Sequence, residues 1–165
     1  MIEQTAKVSV KGKLNTFNFK WFPTKDFSKI KPITQVYGVC FNEDGKIPIV
    51  SIDGKKWLLP GGTPENVETP EQTLVREVDE EADLVIKEIT PLGYQRVENL
   101  DSGRIQYQLR YFALIDKVNK QTIDPDVGKI LVRKFIYPKD FSKYCPWGNV
   151  GEEVIRLAQD LFSRR

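Results

Sequence analysis

The chain contains no histidine. Serine–histidine–aspartate and cysteine–histidine catalysis, the HExxH zinc motif and phosphoryl relay through histidine are therefore closed to it. Carboxylates and cations must carry any chemistry. Cysteine is almost as scarce. Cys40 and Cys145 are far apart and show no CxxC spacing, which excludes a disulfide framework or a cysteine zinc site and points to a reducing cytoplasm. Cys40 sits in the apolar run 35–41 and reads as a small buried hydrophobe rather than a reactive thiol. No apolar run approaches the ~18 residues of a membrane span, and residues 1–7 lack the charged-then-apolar order of a signal peptide. A soluble, unprocessed cytoplasmic protein is the expectation. Charge of one sign is also lacking: 25 basic residues stand against 23 acidic ones, without the basic footprint that nucleic acid or an anionic membrane would call for. The remaining partner class is a small molecule.

What is present fits one globular domain. A chain of 165 residues that is 40% hydrophobic and 29% charged can bury one real core but not two. Apolar and polar side chains alternate over residues 6–10 and 14–22 around Lys11-Gly12-Lys13, which predicts a hairpin. Pro23 and Pro32 bracket a linker. Strands are expected over 34–41 and 47–52, with Asn42-Glu43-Asp44-Gly45 as the turn between them, and again over 89–100, 105–116 and 129–137. Thr69-Pro70-Glu71-Gln72 combines a threonine N-cap, proline at the first helical position and glutamine three residues after the cap, which starts a helix near Pro70. A second amphipathic helix is predicted over 151–163, where apolar residues recur at helical spacing. The aromatic group Phe17, Phe19, Trp21 and Phe22 is expected to pack within the domain, with a homodimer interface as the alternative.

On a helical wheel, Leu74, Val75, Val78 and Ala82 form an apolar stripe about 100° wide. Glu77, Glu80 and Glu81 share a neighbouring arc of about 100°. Thr73, Leu84 and Val85 offer no countercharge, so Arg76 is the one basic residue close in sequence. Three carboxylates crowded in this way repel, and a divalent cation that prefers hard oxygen ligands would offset the repulsion. A solvated acidic helix face is the competing reading.

The segment before the helix bears on that choice. Gly62, five residues, Glu68, seven residues, then Arg76-Glu77-Val78-Asp79-Glu80-Glu81-Ala82-Asp83-Leu84 resembles the box of the Nudix hydrolase family, written G-x5-E-x7-R-E-U-x-E-E-x-G-U with U aliphatic. Gly62, Glu68, Arg76, Glu77, Glu80 and Glu81 all match. The chance of such a match is on the order of 10⁻⁸ per window. One position departs: Asp83 stands where the family has glycine, and a left-handed backbone there would cost roughly 1–2 kcal/mol.

The resemblance implies an α/β fold of the Nudix type. This is an α/β/α sandwich around a mixed sheet, spanning residues 33–165 and preceded by an N-terminal β-hairpin extension over residues 1–32. It implies that Glu77, Glu81 and Glu80, with the carbonyl of Gly61, hold Mg²⁺ or Mn²⁺. It implies further that Glu80 or a residue outside the box accepts a proton from water, and that Arg76 and Glu68 form an ion pair bracing the loop against the helix. An additional carboxylate after the box would be Glu98, Asp124 or Asp126. Substrate phosphates have Lys55, Lys56, Arg96, Arg104 and Arg110 as candidate contacts, and a base has Trp57 or Tyr107. The implied activity is hydrolysis of the diphosphate linkage of a nucleoside diphosphate derivative or nucleoside triphosphate, with a non-catalytic nucleotide-binding or regulatory module as the alternative. The family's isomerase branch, thought to bind metal through histidines, is disfavoured by their absence.

Overall fold

A computed structural model describes all residues, Met1–Arg165. Strands β1 (Ile2–Val10) and β2 (Lys13–Pro23) form the expected hairpin. Lys11 and Gly12 both take positive φ, 50° and 77°, as the two-residue turn that matches strand twist requires. β3 (Ile33–Phe41) and β4 (Ile47–Ser51) follow, then the two-residue β5 (Gly61–Gly62), helix α1 (Pro70–Ala82), β6 (Leu84–Asn99), β7 (Ile105–Val118) and β8 (Val132–Ile136). A 3₁₀ turn over Pro138–Asp140, a short α2 (Phe141–Tyr144) and α3 (Gly148–Ser163) complete the chain.

Six strands form one sheet in the order β1-β2-β6-β7-β3-β5, while β4 pairs with β8 separately. β3 and β7 run parallel and the other neighbours antiparallel. The hairpin is therefore continuous with the central sheet, since residues 17–23 of β2 pair with β6.

Alternation along β3 and β7 divides the core. Val36, Cys40, Leu109, Tyr111 and Ala113 face α1, packing with Leu74, Val78 and Ala82. Val39, Phe41 and Phe112 face α3, packing with Val150, Val154, Ile155 and Ala158. The result is the α/β/α sandwich. Full burial of a Leu or Val side chain contributes about 1.5–3 kcal/mol, so these apolar positions anchor both helices. Cys40 is fully buried, and burial pushes its thiol up to about 12.

Several boundaries differ from the sequence expectation. β6 begins at Leu84, directly after the helix cap Asp83, and carries Pro91 between two register shifts. α3 begins at Gly148, three residues before the predicted start, and β8 is shorter than predicted. Val75 is 44% exposed rather than part of the buried stripe, while Thr73 and Glu77 are buried. The buried arc of α1 is thus rotated toward the carboxylates. Trp21 is buried in the core and Phe22 stacks on Tyr94 at 5.0 Å, so these aromatics pack within the chain.

Candidate active site

β5 brings the loop before α1 against the sheet, with Val36 opposite Gly62 and Tyr37 opposite Gly61. Only glycine fits. A Cβ on Gly61 would lie 2.1 Å from the Val36 carbonyl oxygen, and one on Gly62 would lie 2.3 Å from the Glu77 carboxyl carbon. The helix then starts as predicted: the Thr69 hydroxyl accepts from Gln72 N–H and the Gln72 side chain accepts from Thr69 N–H, closing a capping box. Loop and helix start together place the carboxylates of α1 beside the glycine pair.

Arg76 organises them. Its Nε and Nη2 donate to the two oxygens of Glu68 at 2.9 and 3.0 Å, a two-pronged bond. Nη2 also reaches the Thr63 carbonyl at 3.1 Å, and Nη1 donates to Glu77 at 2.9 Å and Glu80 at 3.1 Å. One guanidinium thereby joins loop and helix and sets the direction of two carboxylates. Contact with Arg76, led by its hydrogen bonds, holds Glu68 below the usual carboxylate range. Burial raises Glu77 and Glu80 despite the same arginine.

Glu81 differs from its neighbours. It accepts from Gly61 N–H at 3.3 Å, and burial, aided by the charges of Glu77, Asp124 and Asp126, pushes its carboxyl up to about 8. Oxygens of Glu77, Glu80 and Asp126 instead converge within 4.8 Å of one another. Three hard oxygen donors with no nitrogen or sulfur among them fit Mg²⁺ or Mn²⁺.

Asp126 comes from the loop between β7 and β8, and Asp83 fixes where that loop lies. Asp83 ends α1 in the left-handed conformation, φ 53° and ψ 46°. Its carboxylate accepts from Thr122 N–H at 3.0 Å and from Thr122 Oγ1–H at 2.6 Å, and its carbonyl accepts from Asn119 N–H at 2.9 Å. Further along, the buried Asp124 accepts from the backbone N–H groups of Asp126 and Val127 at 2.8 and 2.9 Å, shaping the turn that presents Asp126. A cavity of about 480 Å³ opens over this group, lined by Tyr37, Gly61, Gly62, Glu77, Glu81 and Asp126.

Residues 31–155 match the family described as NUDIX domain. The chain belongs to the Nudix hydrolase family. Among solved structures, this Nudix chain is similar to the Bacillus subtilis pyrophosphohydrolase BsRppH, at 21% identity and TM-score 0.68, over 90% of this chain and 91% of that one. It is also similar to the C. elegans Ap4A hydrolase in a binary complex, at 15% identity and TM-score 0.62, over 81% and 100% of the two chains. A third is the MutT NUDIX hydrolase of Burkholderia pseudomallei, at 17% identity and TM-score 0.57, over 77% and 98%. At these identities the likeness is one of fold. No curated protein sequence matches the chain significantly.

Of the residues singled out from the sequence, the Nudix fold brings Glu68, Arg76, Glu77 and Glu80 into one network and leaves Glu81 on the Gly61 N–H. Among the three outer carboxylates, Asp126 joins the cluster, whereas Asp124 serves its own turn and Glu98 pairs with Arg96 at 2.8 Å. No sequence signal distinguishes Asp126, because it lies more than forty residues from Glu77 and Glu80 in the chain and meets them only in the fold. Trp57 packs edge-on to Tyr144, and Tyr107 edge-on to Tyr94. No helix is long and apolar enough to cross a membrane.

Proposed function

We propose that this Nudix domain hydrolyses the diphosphate linkage of a nucleoside diphosphate derivative or nucleoside triphosphate. The observation that carries the reading is the convergence of Glu77, Glu80 and Asp126 oxygens within 4.8 Å beside an open cavity. The names of two structural relatives, a pyrophosphohydrolase and an Ap4A hydrolase, support the same class. Glu77, Glu80 and Asp126 would hold the cation, with Glu81 and the Gly61 carbonyl adjoining. Bound Mg²⁺ or Mn²⁺ would neutralise the diphosphate and stabilise charge developing on its oxygens.

The chain's own residues supply the rest. Arg76, fixed by Glu68, aims Glu77 and Glu80 from behind and spares them a search among rotamers. Glu80, with its side chain 24% exposed against 7% for Glu77, or a residue outside the box would take a proton from an attacking water. The test is product release from nucleoside triphosphates, nucleotide sugars and dinucleotides with Mg²⁺ or Mn²⁺, comparing wild type with Glu77→Gln and Glu80→Gln. Expected is metal-dependent turnover of some panel member, reduced roughly 10²-fold or more in the variants. Nucleotide-induced thermal stabilisation without turnover of any member would replace this reading with a binding module.

A further inference from the structure

Arg110 packs on Tyr37, which also lines the cavity over the carboxylates, and has no acidic partner. It is 3% exposed. Its Nη1 donates to the Leu109 carbonyl at 3.2 Å, its Nη2 to Gln95 Oε1 at 3.3 Å and to Gln108 Oε1 at 3.0 Å, and its Nε is buried with no partner. The guanidinium packs on the rings of Tyr37 and Trp147, at 4.7 and 5.2 Å from their centroids. A buried cation is normally matched by a buried anion, and here every contact is neutral. Burial accordingly pulls Arg110 down to about 10.

The same arginine lines a cavity of about 310 Å³ with Gln4, Phe19, Tyr37, Gln95 and Trp147, and no acidic side chain borders it. Gln95 and Gln108 turn their carbonyl oxygens to the guanidinium and so leave amide N–H groups unpaired. The cavity therefore presents a guanidinium and free amide donors with no anionic group among them. Tyr37 and Leu58 line both this cavity and the one over the carboxylates, so a single ligand can reach both. Four of its lining residues, Gln4, Ala6, Val8 and Phe19, come from the hairpin, outside the segment matched to the family.

We propose that the Arg110 cavity is an anion subsite that takes a phosphate group of the nucleotide ligand remote from the linkage being cleaved. The nucleotide identity rests on the hydrolase reading; the anion chemistry does not. A phosphate there supplies the charge the guanidinium lacks and accepts from the surrounding amides, while the aromatic walls cover the attached nucleoside.

The test is calorimetric binding of AMP and of adenosine to the metal-free protein in EDTA, where the carboxylate cluster repels anions and cannot bind them. AMP is expected to bind at least about tenfold more tightly than adenosine, with inorganic phosphate competing, and Arg110→Gln is expected to erase the difference. Because Arg110 is buried, Gln95→Glu is the companion variant: it places a carboxylate on the guanidinium, and is expected to fold with a raised Tm while losing the AMP preference. AMP binding no tighter than adenosine, or a preference that survives Gln95→Glu, overturns the proposal. Loss of turnover with the AMP preference intact would remove the hydrolase reading and leave the anion subsite standing.

Discussion

Replacing Asp83 by the glycine that the family box carries should weaken this protein. The αL backbone at φ 53° favours glycine, and relieving it contributes about 1 kcal/mol. Against that, Asp83→Gly removes two hydrogen bonds that a buried carboxylate accepts from Thr122, each of order 1.5–3 kcal/mol for a charged acceptor. Thr122 is exposed, which favours the lower figure because water can replace the lost partner. The net expectation is a loss of about 2 kcal/mol, or roughly 4–8 °C in Tm for a domain of this size. The tether also holds the loop that carries Asp126, so stabilisation by Mg²⁺ should fall by more than the general loss explains. Denaturant melts of wild type, Asp83→Gly, Thr122→Val and the double variant, with and without Mg²⁺, measure both effects. The two sites should couple by about 1 kcal/mol or more. A glycine variant as stable as wild type, or additivity of the two changes, would refute the reasoning and leave Asp83 as a plain αL cost.

Two further outcomes follow from the site. Gly62→Ala drives a methyl group into the Glu77 carboxyl, 2.3 Å away; it should weaken the Mg²⁺-induced Tm shift strongly, and an unchanged shift would exclude Glu77 from the metal group. Without metal, burial pushes the Glu81 carboxyl from an ordinary 4.5 up to about 8. A carboxyl raised on folding favours the fold when protonated, so its contribution is complete below about pH 4.5 and is lost progressively as pH rises through 8, by a few kcal/mol. The stability difference between wild type and Glu81→Gln should therefore move against wild type across that window in EDTA, and a flat difference would show that Glu81 is not held in a protonated state.

The Nudix box and the helix that bears it were legible in residues 62–84 because their determinants are local. The Thr69–Gln72 capping box, the apolar spacing of Leu74, Val78 and Ala82, and the glycine pair act within a few residues of one another. The hairpin was equally legible, since Lys11-Gly12 sets its own turn. Val75 falls outside the buried stripe because the direction a helix faces is set by the sheet beneath it. A wheel gives angles between side chains but no origin, and the rotation of α1 buries Glu77 while exposing Val75. β6 was drawn too short because pairing with β7, rather than local propensity, carries it back to Leu84.

By itself the sequence determined that histidine chemistry is closed to the chain, that a carboxylate helix follows a glycine loop, and that the family is Nudix. Tertiary structure decided which acids and cations meet. Asp126 joins Glu77 and Glu80 from a loop that Asp83 tethers through Thr122, and Arg110, one of five candidate cations along the chain, is the one that lies buried without an anion. Both depend on the placement of residues tens of positions apart, and a local pattern holds no record of how much water or countercharge such placement leaves around a charged group.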